Sequence, residues 1–259
     1  MKRMRTESTE ENAAPTTLLH RQDFIDMNQE MHEYDEMREK IIKRSREILK
    51  ASKQAIFALH RSDKAEALKL LGSAEKVIPE LVTLTEKNPS LRDGALSSSL
   101  EEYAEAKCFC YYLDTKCLLP RRDVPIVLKN EYLGGVIDFT GELMRYAVVK
   151  ATAREVDEVK RCKDMVEAIS GELIQFDFRN GPLRRKFDSV KYNLRKLEVR
   201  YCCGRVAENL QSSNRCTFSI DVTKKNTLYE LSLVTNSGLT LQAHSVQETP
   251  AASTREDEE

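Results

Sequence analysis

The sequence predicts an all-α protein, a single-domain bundle of about seven helices. One observation behind this fold class is a stretch without proline or glycine over residues 21–71, which favours a long first helix. The other is that apolar residues within it recur at intervals of seven, as Ile41, Ile48 and Ala55 do. This spacing gives a helix one apolar face that can be buried in a bundle. We expect the helical domain to span residues 21–210.

Turn residues delimit the helices that follow. A second segment is expected over about residues 64–85, with a kink or break at Pro79, and Asn88-Pro89 marks the loop after it. Asn-Gly-Pro at residues 180–182 combines a stop signal with a start signal. The later helices are therefore expected over about residues 126–152, 156–176 and 183–210.

The start of the third helix is predicted from its capping residues. Ser98 or Ser99 stands three residues before Glu101 or Glu102, which is the spacing of a capping box. This helix is expected to continue to about residue 118.

Both ends of the chain differ from the bundle in composition. Residues 1–20 are polar and are predicted to be disordered, as is the acidic end of the chain. Residues 211–259 form an unassigned C-terminal extension. Within it, residues 216–222 and 227–241 show partial alternation, which fits either two weak strands or an irregular tail.

Charge and cysteine content restrict the partners and the compartment. The 41 basic and 42 acidic residues nearly cancel, so any nucleic-acid binding must come from local patches. We find neither a secretory signal nor a stretch apolar enough to span a bilayer. The seven cysteines lack the paired spacing of a zinc site or a disulfide framework. We therefore expect reduced thiols, no membrane association, and residence in the cytoplasm and nucleus.

The helix expected over residues 126–152 carries a first pair of carboxylates. Most of its circumference is apolar, which is typical of a buried helix. Asp138 and Glu142 nevertheless lie one turn apart on the same face. A carboxylate removed from water must be paired, hydrogen-bonded or metal-bound. An internal ion pair between Glu142 and Arg145 is one explanation, but no such cation stands next to Asp138.

A second pair, Glu102 and Glu105, lies on the third helix. Glu102 would be explained equally well as a capping residue near the positive end of the helix dipole, whereas Glu105 lies beyond the first turn. If the two helices are neighbours, four carboxylates converge. Oxygen ligands in that number suit Mg²⁺, with Mn²⁺ as an alternative.

Other kinds of catalytic site find less support. A di-iron bundle would require Glu-x-x-His, and none of the four histidines has Glu three positions earlier. There is no evident Ser-His-Asp or Cys-His set and no glycine-rich phosphate loop. An enzyme with this sequence would have to be metal-dependent.

Basic residues form two clusters that could bind phosphate groups. They could equally be the solvated faces of surface helices. The residues proposed for nucleic-acid binding are Lys43, Arg44, Arg46 and Lys50 on the first helix, and Arg184, Arg185, Lys186 and Lys191 on the last.

Three separated segments together resemble the translin family. They are KRSREI at residues 43–48 with its continuation to residue 61, SLEEYAEA at residues 99–106, and EYLGGVIDFTGELMR at residues 131–145. All three resemble the translin-associated factor X branch of the family, while GPLRRKFDSVKY at residues 181–192 is at least as similar to translin itself. The resemblance extends over about residues 21–210.

This resemblance implies a seven-helix fold, a closed hetero-oligomer with a translin subunit, and RNA enclosed within it. It also implies a metal-dependent endoribonuclease that cleaves single-stranded RNA, such as the passenger strand in RNA interference or fragments from tRNA processing. By position in the motifs, the nuclease site would consist of Glu102, Glu105, Asp138 and Glu142. Glu105 and Glu142 would hold the metal ion.

Two further hypotheses belong to other functional classes. In one, the protein is a non-catalytic scaffold that binds RNA or single-stranded DNA, and its acidic cluster is structural. In the other, it is a helical adaptor whose basic faces bind nothing. Metal dependence separates the nuclease from the scaffold, and salt-sensitive RNA binding separates the scaffold from the adaptor.

Overall fold

The computed structural model describes the backbone of residues 18–212, 216–218, 232–235 and 240–242, and the side chains of residues 18–205. Six α-helices within these residues confirm the all-α class. Short 3₁₀ helices, Pro89–Arg92 and Arg121–Asp123, lie between them. The α-helices are α1 (Arg21–His60), α2 (Lys64–Thr85), α3 (Ala95–Thr115), α4 (Lys129–Thr152), α5 (Val156–Ile174) and α6 (Pro182–Ser212).

The chain divides into two compact units, Met1–Phe139 and Thr140–Glu259. The boundary falls inside α4, which is helical on both sides of it. The domain limits of residues 21–210 stay a prediction.

In the first unit, α1 packs against α2 and α3. Ile41, Ile48 and Ala55 are fully or nearly buried, so the seven-residue repeat does mark the core-facing side of α1. The stretch without proline or glycine nevertheless contains a turn. Ser62 adopts a positive φ of 62°, and the Asp63 side chain accepts a hydrogen bond from the Glu66 backbone N–H at 3.1 Å, which starts α2.

The predicted cap of α3 was wrong. The helix begins at Ala95, directly after Gly94, whose φ of 89° is accessible to glycine. The Ser99 hydroxyl donates to the Leu96 carbonyl within the helix instead of capping it. Glu102 therefore lies two turns inside α3. Pro79 lies inside α2 and does not end it.

In the second unit, α5 packs against α6. The Asn-Gly-Pro signal is confirmed, since Pro182 is the first residue of α6. Beyond α6, the strands β1 (Cys216–Phe218), β2 (Ser232–Thr235) and β3 (Thr240–Gln242) form an antiparallel sheet in the order β1-β2-β3. Thr217 pairs with Val234, and Leu233 with Leu241. Three short strands therefore form in the extension, where the sequence predicted either two weak strands or an irregular tail.

The tails predicted to be disordered lie almost entirely outside the described residues. Across the described residues, no helix combines the length and apolarity that crossing a bilayer requires.

Candidate functional site

The candidate site is centred on a backbone contact between α3 and α4. A Cβ atom added to Gly135 would lie 2.7 Å from the Glu101 carbonyl oxygen, 2.7 Å from the Ala104 Cβ and 2.9 Å from the Glu105 backbone nitrogen. Only glycine permits this approach, because any Cβ would collide with the backbone of α3. We refer to this contact of Gly134 and Gly135 with residues 101–105 as the glycine crossing.

Three of the predicted site residues lie at or beside the glycine crossing. Glu102 is half-buried, and Glu105 is buried with 7% of its surface exposed. Asp138 is half-buried and lies three residues after Gly135 on the same face of α4. Glycine therefore brings α3 into contact with the α4 segment that carries Asp138, so the two helices are neighbours.

Glu101 belongs to the same surface and was not among the predicted site residues. A Cβ on Gly134 would lie 2.8 Å from the Glu101 Cδ and 2.9 Å from its Oε2, so this carboxylate rests directly on α4. The available signal was its position four residues before Glu105, which places both side chains on one face of α3.

Glu102 is also close to α1. Its Oε2 lies 3.8 Å from the Lys53 Nζ, and the lysine side chain is largely exposed. At this distance and exposure the ion pair contributes on the order of 1 kcal/mol or less.

Glu142 lies in the second unit, one turn beyond Asp138 along α4. Its Oε2 is 3.7 Å from the Arg145 Nη1, and 54% of the Arg145 side chain is exposed. The ion pair considered from the sequence therefore exists, but it is long and open to solvent. On another side of the same helix, the buried Asn193 amide donates a hydrogen bond to the Thr140 hydroxyl at 3.0 Å.

Glu131, the first acidic residue of the motif at 131–145, has a structural role. It is 2% exposed, and its two carboxylate oxygens accept hydrogen bonds at 2.8 Å from the Arg92 guanidinium. It also accepts the Leu128 backbone N–H at 2.8 Å, which satisfies a donor at the start of α4. Arg92 thus neutralises this carboxylate, and the Leu128 N–H helps to fix its position.

The interior beside Glu105 is apolar. Burial raises the pKa of the Cys108 thiol to about 12, and the charge of Glu105 contributes in the same direction. Burial likewise raises the pKa of Tyr132, with a smaller contribution from Cys108. Cys108 is therefore a protonated thiol at neutral pH and supplies neither a nucleophile nor a thiolate ligand.

The donor chemistry at the glycine crossing can be tested against the expected metal. Glu101, Glu102, Glu105 and Asp138 offer carboxylate oxygens, the donors that Mg²⁺ and Mn²⁺ prefer. Among the described side chains, however, no three His, Cys, Asp or Glu residues are grouped as ligands around one metal position. The residue types fit a hard cation, and the structure defines no coordination geometry for it.

The basic residues predicted on α1 fall into two groups. Lys43, Arg46 and Lys50 are exposed, and with Lys53 they recur at three and four residues along one face of α1. This face, the α1 basic stripe, ends at the lysine that pairs with Glu102. Arg44 is half-buried instead. Its guanidinium bridges Glu47 and Glu80 at 3.2 and 2.8 Å, which ties α1 to α2.

The basic residues predicted on α6 are mostly exposed. Arg185 and Lys191 are open to solvent, whereas Lys186 is half-buried. The Arg184 Nη2 lies 3.8 Å from the Asp188 carboxylate. Exposed aromatic surface accompanies them, because Tyr192 is exposed and the Lys196 Nζ lies 4.1 Å from its ring centre.

The fold and the carboxylates at its glycine crossing define the class of protein, an all-helical chain with an acidic surface between two touching helices. Comparison with known proteins identifies the family. The Translin family model matches residues 36–206, and the chain belongs to the translin family.

Individual relatives carry the name of one branch of the family. The Translin-associated protein X homolog of Schizosaccharomyces pombe is 31% identical over 152 residues, which are 53% of this chain and 66% of that protein, just under two thirds of its length. Translin-associated protein X of Mus musculus is 24% identical over 217 residues, covering 68% of this chain and 74% of that protein.

Solved structures have the same fold. The crystal structure of apo-NeC3PO superimposes with a TM-score of 0.64 at 24% identity, over 73% of this chain and 99% of that one. The structure of an AfC3PO–duplex RNA complex gives 0.63 at 22% identity, over 71% and 97% of the two chains.

Proposed function

We propose that this chain is the catalytic subunit of a Mg²⁺-dependent endoribonuclease that cleaves single-stranded RNA in a hetero-oligomer with translin. The observation that carries the proposal is the glycine crossing. Two consecutive positions of α4, Gly134 and Gly135, have no side chain, and this allows α4 to contact α3 closely. The surface at this contact is acidic. Acidic side chains placed together are unfavourable unless something compensates their charge, and a bound cation would do so.

Each carboxylate has a proposed role. Glu105 and Glu142 would hold Mg²⁺, or Mn²⁺ in its place, while Glu102 and Asp138 would support them. When bound, such an ion lowers the pKa of water and offsets negative charge on a phosphodiester. Burial of Glu105 within apolar surroundings keeps its side chain fixed, as a ligand requires.

The α1 basic stripe supplies the means to hold the substrate. Lys43, Arg46 and Lys50 are spaced to contact successive phosphates, and Lys53 brings the stripe to Glu102. On α6, Arg185 and Lys191 would add phosphate contacts, and Tyr192 a ring on which a base can stack. The complex of AfC3PO with duplex RNA supports RNA as the class of ligand.

The family supports the choice of partner. Relatives named Translin-associated protein X support assignment to that branch, so translin is the proposed partner. The proposed compartments are the cytoplasm and nucleus, which imaging of the tagged chain would test.

The decisive experiment measures cleavage of a 5′-labelled single-stranded RNA by this chain co-purified with translin of the same organism. Reactions with Mg²⁺ and with EDTA would be compared for the wild type, for Glu105→Ala/Glu142→Ala, and for Asp114→Asn. Asp114 is a matched control because it lies at the other end of α3, where it pairs with Lys64. We expect metal-dependent cleavage by the wild type and the control, and none by the double variant. Equal cleavage by the pure double variant would refute the site.

A binding measurement separates a lost metal site from a lost fold. Mg²⁺ should raise the melting temperature of the wild type and of Asp114→Asn, because an ion that binds only the folded state stabilises it. The double variant should show no such shift, while binding the same RNA in EDTA with unchanged affinity.

A non-catalytic scaffold that binds RNA or single-stranded DNA is the second candidate. It is favoured by the ion pairs of Glu102 with Lys53 and of Glu142 with Arg145, which give both carboxylates a partner without a metal. An intact complex that binds RNA, fails to cut it, and melts at the same temperature with and without Mg²⁺ would establish this function instead.

A further inference from the structure

The first turns of α1 extend the apolar face of the bundle beyond the bundle itself. Met27 leads by steps of seven through Tyr34 to Ile41, Ile48 and Ala55. The last three are 0–2% exposed in the core, but Met27 is 48% exposed. The same helical face is thus covered after residue 41 and uncovered before residue 34.

Other large apolar side chains accompany Met27. Phe24 is 59% and Met31 66% exposed, and their spacing of three, four and seven residues places all three on one side of α1. The Tyr34 hydroxyl lies 3.3 Å from the Ser90 hydroxyl, where the covered part of α1 begins. The uncovered part, residues 21–33, is about 20 Å long. We call the surface of Phe24, Met27 and Met31 the α1 apolar seam.

The charged residues around the α1 apolar seam are mostly acidic. Residues 21–39 contain seven acidic side chains and two basic ones, and all nine are exposed. Asp23 and Glu30 stand beside the seam along one border, so two copies of the chain paired through it would bring like charges together, which is unfavourable. A helix bordered by lysine and arginine would instead meet complementary charge, as in coiled coils that select a different partner.

We propose that the α1 apolar seam is a docking surface for an amphipathic helix with basic borders, contributed by the translin partner rather than by a second copy of this chain. The inference rests on the hetero-oligomer of the proposed function and goes beyond it by assigning the surface and the chemistry of its occupant. Burial of Phe24, Met27 and Met31 would provide the affinity, and the acidic border of Asp23 and Glu30 would disfavour self-pairing.

Substitutions at exposed positions test this without disturbing the core. Met27→Gln/Met31→Gln removes apolar surface and keeps helix propensity, since methionine and glutamine have similar values. Gln22→Ala/Gln29→Ala is the matched control on the opposite face, where the two glutamines bond only to exposed acidic side chains. Affinity for co-purified translin would be measured by analytical ultracentrifugation. We expect the methionine variant to bind at least roughly tenfold more weakly and the control to bind like the wild type.

Charge reversal and crosslinking identify the occupant. Asp23→Lys/Glu30→Lys should weaken binding to translin and reduce its dependence on salt. A photo-crosslinking phenylalanine analogue in place of Met31 should join the chain to translin. Crosslinks to a second copy, or to residues 1–17 of the same chain, would overturn the proposal, as would equal binding of translin by the methionine variant and the wild type.

The readouts for docking and for catalysis are independent. If formation of the complex requires Met27 and Met31 but the complex does not cut RNA, the proposed nuclease is refuted and the docking surface is supported. If Met27→Gln/Met31→Gln binds translin as well as the wild type does and the complex cuts RNA, the docking surface is refuted and the nuclease is supported.

Discussion

Replacing Gly135 by alanine tests whether α3 and α4 touch as described. The added Cβ would lie 2.7 Å from the Glu101 carbonyl oxygen and 2.9 Å from the Glu105 nitrogen. Nonbonded carbon contacts are normally about 3.5–4.0 Å long, so the two helices must separate by roughly 1 Å. Backbone atoms cannot rotate away as a side chain can, and the strain falls on the crossing itself.

The expected magnitude follows from two opposing effects. Alanine in place of a helical glycine gains about 1 kcal/mol, whereas overpacking costs about 1–3 kcal/mol and the separation weakens contacts along the crossing. Gly72→Ala is the matched control, since nothing lies within 4 Å of its added Cβ in α2. We expect Gly135→Ala to be less stable than Gly72→Ala by about 2–3 kcal/mol, which corresponds to roughly 4–12 °C in melting temperature.

Thermal unfolding and RNA cleavage by the assembled complex would be measured together. A displacement of about 1 Å at a site can reduce the rate on the order of a hundredfold, so cleavage should fall in Gly135→Ala and not in Gly72→Ala. Gly134→Ala should lie between them, because its added Cβ meets only the movable Glu101 side chain. If Gly135→Ala were as stable as Gly72→Ala, the backbone contact would be absent and the reasoning refuted.

Three further predictions concern groups near the crossing. Arg92→Ala leaves the Glu131 carboxylate buried without its cation and should cost about 3–5 kcal/mol by urea denaturation, with partial recovery in Arg92→Ala/Glu131→Gln. Burial raises the pKa of Glu75, but hydrogen bonds from Tyr103 and a lysine lower this pKa by more. The ionised Glu75 carboxylate therefore stabilises the fold above the ordinary glutamate pKa, and this stabilisation is lost as the pH falls. Below about pH 5, the melting temperature of Tyr103→Phe should therefore fall less steeply with pH than that of the wild type. The Cys108 thiol should react with Ellman's reagent at pH 8 only after unfolding, whereas rapid reaction is expected at the exposed thiols, Cys117 and Cys202.

Much of the fold could be predicted because it depends on local sequence. The seven-residue repeat of α1 identified its core-facing side, and Asn-Gly-Pro located the start of α6. The errors arose where local signals compete. Ser99 is compatible with a helix cap, but the positive φ of Gly94 lets α3 begin earlier, at Ala95. The turn at Ser62 was missed because it contains neither proline nor glycine.

The candidate site was predictable only in part, because its parts meet through tertiary contacts. Helical spacing was sufficient to place Asp138 and Glu142 on one face of α4. It did not reveal that Gly134 and Gly135 touch α3, nor that Glu101 lies against them. Such contacts depend on how closely two helices approach, and spacing within either helix does not contain that information.

The acidic residues of α3 and α4 differ in how closely the fold pairs them with cations. Glu131 is almost fully buried and accepts two hydrogen bonds of 2.8 Å from Arg92. Without Glu131, the largely buried Arg92 guanidinium would lose its counterion, which is strongly destabilising. Glu102 and Glu142 face exposed, flexible cations at 3.8 and 3.7 Å. Pairs of that kind contribute on the order of 1 kcal/mol or less. Stability therefore explains why the chain has Glu131, whereas for Glu102 and Glu142 we propose a role in binding a metal ion.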